Sequence, residues 1–156
     1  MSNGSPPTTA IILTRRLHHH HQHSSQPLIL SLTAEERARS RHHFITEDGT
    51  PIYLQLPRGT ALQAGDLLAP ATAESILVQI VAKPEPVLMV TSNDSINLLR
   101  AAYHLGNRHV SLEITPTYLR LTPDPVLAAM LTQLGLQVVE QVAPFCPQGG
   151  AYSHHH

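Results

Sequence analysis

The chain has little of what marks secreted, nucleic-acid-binding or membrane proteins. It has 156 residues, one cysteine and no tryptophan, and a lone cysteine cannot form a disulfide within the chain. Ten Lys and Arg against eleven Asp and Glu give a formal charge of −1, which argues against a basic groove for nucleic acid. No apolar run approaches the roughly 20 residues that span a bilayer, and the N-terminal residues do not have the pattern of a signal peptide. We therefore expect a cytoplasmic protein that binds neither nucleic acid nor membranes.

Histidine is the residue in excess, with 12 copies against two Phe and four Tyr. Neutral imidazole offers a ring-nitrogen lone pair to borderline metals such as nickel, copper and zinc, so this composition predicts metal binding. Three groups of histidines matter: an early run, a central pair and a C-terminal run. They are His18, His19, His20, His21 and His23; His104 and His109; and His154, His155 and His156.

The patterning of the first half predicts a mostly β domain over residues 1–83. Strands are expected at 8–17, 27–32 and 76–81, a capping box at 33–36, and a hairpin of 42–46 with 51–56 around Asp48-Gly49. The loop 18–23 has no apolar face. Two prolines within 83–86 favour a linker.

Residues 84–143 predict a ferredoxin-like β-α-β-β-α-β domain, which makes the whole chain α+β. Ser92 or Asn93 is expected to start a helix that Gly106-Asn107 ends in the left-handed conformation. Asp124 with Pro125 begins a second helix, which Gly135 ends. The expected strands are 87–90, 110–114, 118–121 and 136–142, and residues 144–156 are expected to form a flexible, histidine-bearing tail.

His104 and His109 bracket the predicted end of the first of these helices. Two imidazoles are too few for a four- to six-coordinate metal, so a tight site needs ligands from the tail or from a second copy of the chain. The alternative is structural: one histidine favoured by the helix dipole and the other lying in a strand.

Other candidates also have two interpretations. Arg37, Arg39 and Arg41 can dock an acidic partner or form a solvated face. Cys146 can add a thiolate ligand or be inert. The histidine runs are metal ligands or, for the tail above all, a purification tag. A metalloenzyme with Glu113 as its base is disfavoured, because no His-Glu-x-x-His set is present and Glu113 would stand about 13 Å from His109 along a strand.

The stretch from Leu99 to Ile114 resembles the signature of UreE, the nickel metallochaperone among the urease accessory proteins. Further matches extend over almost the whole chain. They are Glu35 to Arg41, Asp48-Gly49, Leu56 to Gly59, Gly65-Asp66, Val126-Leu127, Met130-Leu131, Leu134 to Leu136, Ala143 to Phe145 and Gly150 to Tyr152.

This resemblance implies a homodimer that carries Ni(II), without an organic cofactor and without enzyme activity. His109 matches the interfacial nickel ligand, one from each protomer, and His104 a nearby histidine. The tail histidines correspond to additional ligands. Residues 121–125 lack the histidines of a second site found in some relatives. The expected partners are a urease accessory GTPase of the UreG type and the urease apoprotein complex, and zinc or copper can replace nickel in vitro. A passive nickel, zinc or copper store without delivery is the alternative.

Overall fold

The computed structural model describes residues 10–17, 26–46, 48–71 and 76–149. These residues form two compact units, the first ending at Ala82 and the second beginning at Lys83. Both units are built on β-sheets with few helices. The predicted α+β class is confirmed.

The first unit is mostly β, as its alternating apolar residues predict. The elements are β1 (Ile11–Leu13), β2 (Arg15–Leu17), β3 (Leu28–Leu32), α1 (Ala34–Arg37), β4 (Arg41–Ile45), β5 (Pro51–Gln55), β6 (Leu67–Ala69) and β7 (Val78–Ala82). The two sheets have the strand orders β1-β5-β4 and β2-β6-β7-β3. The core includes Leu13, Leu32, Ile52, Leu54 and Ile80.

The predicted single strand over 8–17 is wrong in its described part, because the chain changes sheet at Thr14. Its amide donates to the carbonyl of Ala69 at 3.2 Å. Residues before it pair with β5 and residues after it pair with β6. The three-residue strand β6 was not predicted.

The predicted hairpin and capping box are both confirmed. β4 and β5 are antiparallel, with Phe44 opposite Ile52. In the turn between them, hydrogen bonds from Thr46 first and then Thr50 lower the pKa of Asp48. At α1, Thr33 and Glu36 make reciprocal side-chain to backbone bonds.

The second unit has the predicted β-α-β-β-α-β order. The elements are β8 (Glu85–Thr91), α2 (Ser95–Asn107), β9 (Glu113–Ile114), β10 (Leu119–Leu121), α3 (Pro125–Gln133) and β11 (Gln137–Ala143). The strand order in the sheet is β11-β8-β10-β9. One face of the sheet packs on both helices around a core that includes Leu105, Leu119 and Leu131.

The predicted linker is shorter than expected because β8 already begins at Glu85. Pro86 lies in β8 opposite Val142 of β11. On the other side of β8, β10 pairs only with residues 88–90. Pro86 therefore has one strand neighbour, and a position with an unpaired side is where a sheet tolerates proline.

Candidate metal centre

The end of α2 fixes the backbone of His109 in an uncommon conformation. His109 has a φ of 56° and is the one non-glycine residue with positive φ among the described residues. Its amide donates to the carbonyl of Gly106 at 3.0 Å, and the amide of Val110 donates to the carbonyl of Leu105 at 3.1 Å. These two bonds define a Schellman motif, in which the left-handed residue is usually glycine.

The end of α3 shows the same motif with the usual residue. Gly135 has a φ of 87°, its amide bonds the carbonyl of Thr132, and the amide of Leu136 bonds that of Leu131. The two helices of this unit thus end alike, one on glycine and the other on histidine. A side chain in this conformation costs about 1 kcal/mol or more, so His109 occupies a position where the backbone would favour glycine.

The predicted structural alternative for the pair is wrong in one respect, because His109 lies in a turn and not in a strand. The strand expected at 110–114 is reduced to β9. The predicted left-handed end at Gly106-Asn107 is also wrong, since both residues belong to α2, and α2 begins after Asp94 rather than Ser92 or Asn93.

His104 lies in the last turn of α2, and both imidazoles are exposed. The ring of His104 has an edge contact with Tyr103, with centroids 5.6 Å apart. Neither imidazole has a hydrogen-bond partner within the described ranges. Their ring nitrogens are therefore available to a metal.

No cluster of three or more His, Cys, Asp or Glu side chains suited to a metal occurs in the described part of the chain. The structure brings His104 and His109 to one helix end but adds no third ligand there. The predicted ligands His18, His19, His20, His21 and His23, and His154, His155 and His156, lie outside the described residues.

Glu113 is engaged in contacts that disfavour a role as catalytic base. One carboxylate oxygen accepts from Arg120 Nη1 at 3.1 Å and the other accepts from the amide of Cys146 at 2.7 Å. No sequence pattern indicates this arrangement, since it depends on the register that places Arg120 opposite Glu113.

The predicted solvent exposure of the arginine run is wrong for Arg37, which is 4% exposed and donates to the carbonyl of Leu32 at 2.7 Å. Arg39 is exposed and pairs with Glu35 at 3.2 Å. Arg41 is exposed at the start of β4. A partner can therefore reach the last two side chains of the run but not the first.

The exposed face of α2 carries an apolar stripe. Ile96, Leu99 and Tyr103 are 41%, 66% and 67% exposed, at spacings of three and four residues that place them on one side of a helix. The helical period could have revealed this stripe from the sequence alone.

The fold and these features define a two-domain α+β protein whose ferredoxin-like domain presents an exposed histidine pair at a helix end. Comparison with known protein families identifies the family to which this two-domain protein belongs. The C-terminal domain of the UreE urease accessory protein matches residues 85–156, and the N-terminal domain matches residues 12–82. The chain belongs to the UreE family of urease accessory proteins.

Individual relatives agree with this assignment. The chain is 59% identical to the urease accessory protein UreE of Nostoc sp. over 129 residues, which cover 83% of the chain and 87% of the relative. It is 54% identical to UreE of Thermosynechococcus vestitus over 132 residues, 85% of the chain and 91% of the relative. Because this family consists of accessory proteins, the prediction that the chain is not an enzyme is confirmed. None of the helices in the described ranges combines the length and the apolar composition of a membrane span.

Proposed function

We propose that this protein is a nickel metallochaperone that delivers Ni(II) for assembly of the urease metallocentre. The observation that carries the proposal is the exposed imidazole of His109 at a left-handed helix end. The fold does not need a side chain there, as Gly135 illustrates. A ligand role accounts for the histidine, and family membership supports nickel as the metal.

The proposed site is completed by a second copy of the chain. One His109 from each protomer gives two ligands for one metal per dimer. His104 is close enough in sequence to His109 to serve as an additional ligand. The apolar stripe of Ile96, Leu99 and Tyr103 supports an interface on α2, because such a stripe is costly to leave in water.

The remaining ligands are proposed from the sequence. His154, His155 and His156 add ligands to the main site, and the run from His18 to His23 holds further metal loosely. Zinc and copper compete in vitro because imidazole sites follow the Irving–Williams order. We expect no organic cofactor.

The proposed partners are a urease accessory GTPase of the UreG type and the urease apoprotein complex, in the cytoplasm. Arg39 and Arg41 are the candidate contacts of the N-terminal unit for an acidic partner surface, since both are exposed. Arg37 is left out because it is buried.

The test is delivery under a chelator. Nickel-loaded protein is mixed with metal-free urease and the other accessory proteins, with free nickel removed, and urease activity is measured. The wild type should activate urease and His109→Gly should not, although its other histidines still bind metal. His43→Ala, which removes an exposed histidine of the N-terminal unit, is the matched control and should deliver normally.

The same assay distinguishes a carrier from a passive metal store. A store would lose delivery when the terminal and early histidines are replaced and would keep it when His109 is replaced. That pattern would overturn the proposed carrier function.

A further inference from the structure

The segment after β11 packs back onto its own domain, unlike the flexible tail expected from residue 144. Phe145 is 2% exposed. The carbonyl of Pro144 accepts from Arg120 at 3.4 Å, and the amide of Gln148 donates to the carbonyl of Leu112 at 2.7 Å. We call residues 144–148 the strap.

The strap runs from one edge of the sheet to the other. β11 and β9 are the edge strands, and edges of a four-stranded sheet lie about 14 Å apart at the usual strand spacing. Five extended residues span about 17 Å, so the strap has just enough length for the crossing. It lies on the face without helices, where Met89 of β8 and Arg120 of β10 are direct neighbours.

An ion pair holds the middle of the strap. Glu113 and Arg120 are bonded at 3.1 Å, with side chains 12% and 18% exposed. Each also binds strap backbone, Glu113 at the amide of Cys146 and Arg120 at the carbonyl of Pro144. Arg120 Nε is buried with no hydrogen-bond partner within the described ranges. Losing Glu113 would leave this largely buried cation, among the described residues, with the Pro144 carbonyl and the face of the Tyr118 ring as its partners, which compensate the charge less well than a carboxylate.

The strap ends beside the segment that carries His109. Leu112 follows His109 by three residues, so their Cα atoms lie within about 11 Å. His154 follows Gln148 by six residues, a reach of about 20 Å when extended. When the strap is docked, the chain that leads to the terminal histidines begins at Gln148, within reach of His109. If the strap were released, that chain would begin at Ala143, at the opposite edge of the sheet and eleven residues before His154.

We propose that Glu113 and Arg120 are positioning residues of the nickel site. They hold the strap across the sheet and so raise the effective concentration of the terminal histidines at His109. The inference rests on the proposed function, because it assumes that His109 binds nickel. Shortening the tether from eleven residues to six raises the effective concentration about 2.5-fold by length alone, and the nearer starting point adds to this.

The first test is nickel titration of the full chain in a double-mutant cycle. Glu113→Gln keeps an acceptor for Cys146 but removes the charge that pairs with Arg120, and should weaken nickel binding about three- to tenfold. In a protein whose three terminal histidines are replaced by Ala, the same change should have no effect. Glu140→Gln, an equal charge change at an exposed position of β11, is the matched control and should change nothing.

Gln148→Pro is a second variant, which removes the amide bonded to Leu112 and leaves the ion pair intact. It should reproduce the effect of Glu113→Gln. Equal weakening with and without the terminal histidines would show that Glu113 acts on the fold alone and would overturn the proposal. No weakening in either protein would overturn it as well.

A metal-free readout separates this inference from the proposed function. Cys146 is the single cysteine of the chain and is exposed on the strap, so a nitroxide attached there reports strap motion. Glu113→Gln should make the label more mobile, and Glu140→Gln should not. An unchanged label would refute the role of the ion pair, whereas nickel binding unchanged by His109→Gly would refute the proposed site while the label result stood.

Discussion

Replacing His109 by glycine should remove a ligand without weakening the fold. A side chain in the left-handed conformation costs about 1–2 kcal/mol, and glycine loses about 0.5–1 kcal/mol more chain entropy on folding. The imidazole has no hydrogen-bond partner within the described residues to lose. The free energy of unfolding should therefore stay unchanged or rise by up to about 1.5 kcal/mol.

The reciprocal change at α3 provides the control. Gly135→Ala places a Cβ in open space, so its cost comes from the backbone alone; the same two terms with opposite sign give a loss of up to about 1.5 kcal/mol. For a unit of this size, 1 kcal/mol shifts Tm by about 4–8 °C. His104→Gly lies within the helix and should cost about 0.5 kcal/mol, the difference between His and Gly in helix propensity.

The assay is thermal unfolding of metal-free protein, followed by nickel titration of the same samples. His109→Gly should keep or raise Tm and lose the tightest nickel site, and His104→Gly should lower Tm with a smaller effect on nickel. A fall in Tm for His109→Gly as large as that for Gly135→Ala would refute the reasoning, because the imidazole would then be holding the fold together.

Three further predictions follow from the same geometry. Metal-free protein should be a dimer by light scattering, and Leu99→Arg, which puts a charge on the apolar stripe, should make it monomeric; a metal-free wild-type monomer would argue against the α2 interface. Nickel affinity should fall sharply from pH 7 to 5.5, because imidazole must be neutral to bind metal and free histidine titrates near pH 6.5; binding that persists to about pH 4–5 would point to carboxylate ligands. Replacing His154, His155 and His156 by Ala should lower the nickel stoichiometry and weaken the main site without abolishing it, and unchanged titrations would exclude them as ligands.

The parts of the fold that follow local rules could be predicted from the sequence. Asp124 and Pro125 begin α3 and Gly135 ends it, since caps and left-handed ends depend on neighbouring residues alone. The strand change at Thr14 and the short strand β6 could not be predicted. The strand change depends on pairing with residues about 40 or more positions away, which leaves no local signature. β6 has only three residues and pairs with distant β2 as well as with nearby β7, so its own sequence carries little signal.

The error at the end of α2 has a physical cause. Gly106 is the better residue for a left-handed end, but the Schellman motif also favours an apolar contact between the residue after that position and the helix. An end at Gly106 or Asn107 would place polar Asn107 or Arg108 there. Only an end at His109 places Val110 in the core that contains Leu105. Hydrophobic burial thus outweighed the preference for glycine.

The same helix end suits a carrier that must both hold and release nickel. A closed four-ligand cage exchanges metal slowly because all its ligands are fixed together. In the proposed site His109 is fixed by the turn, whereas the terminal histidines are tethered through a strap held by Glu113 and Arg120. A partner's ligands can then replace the tethered imidazoles one at a time while His109 keeps the metal in place. Release therefore needs no unfolding of the helix end.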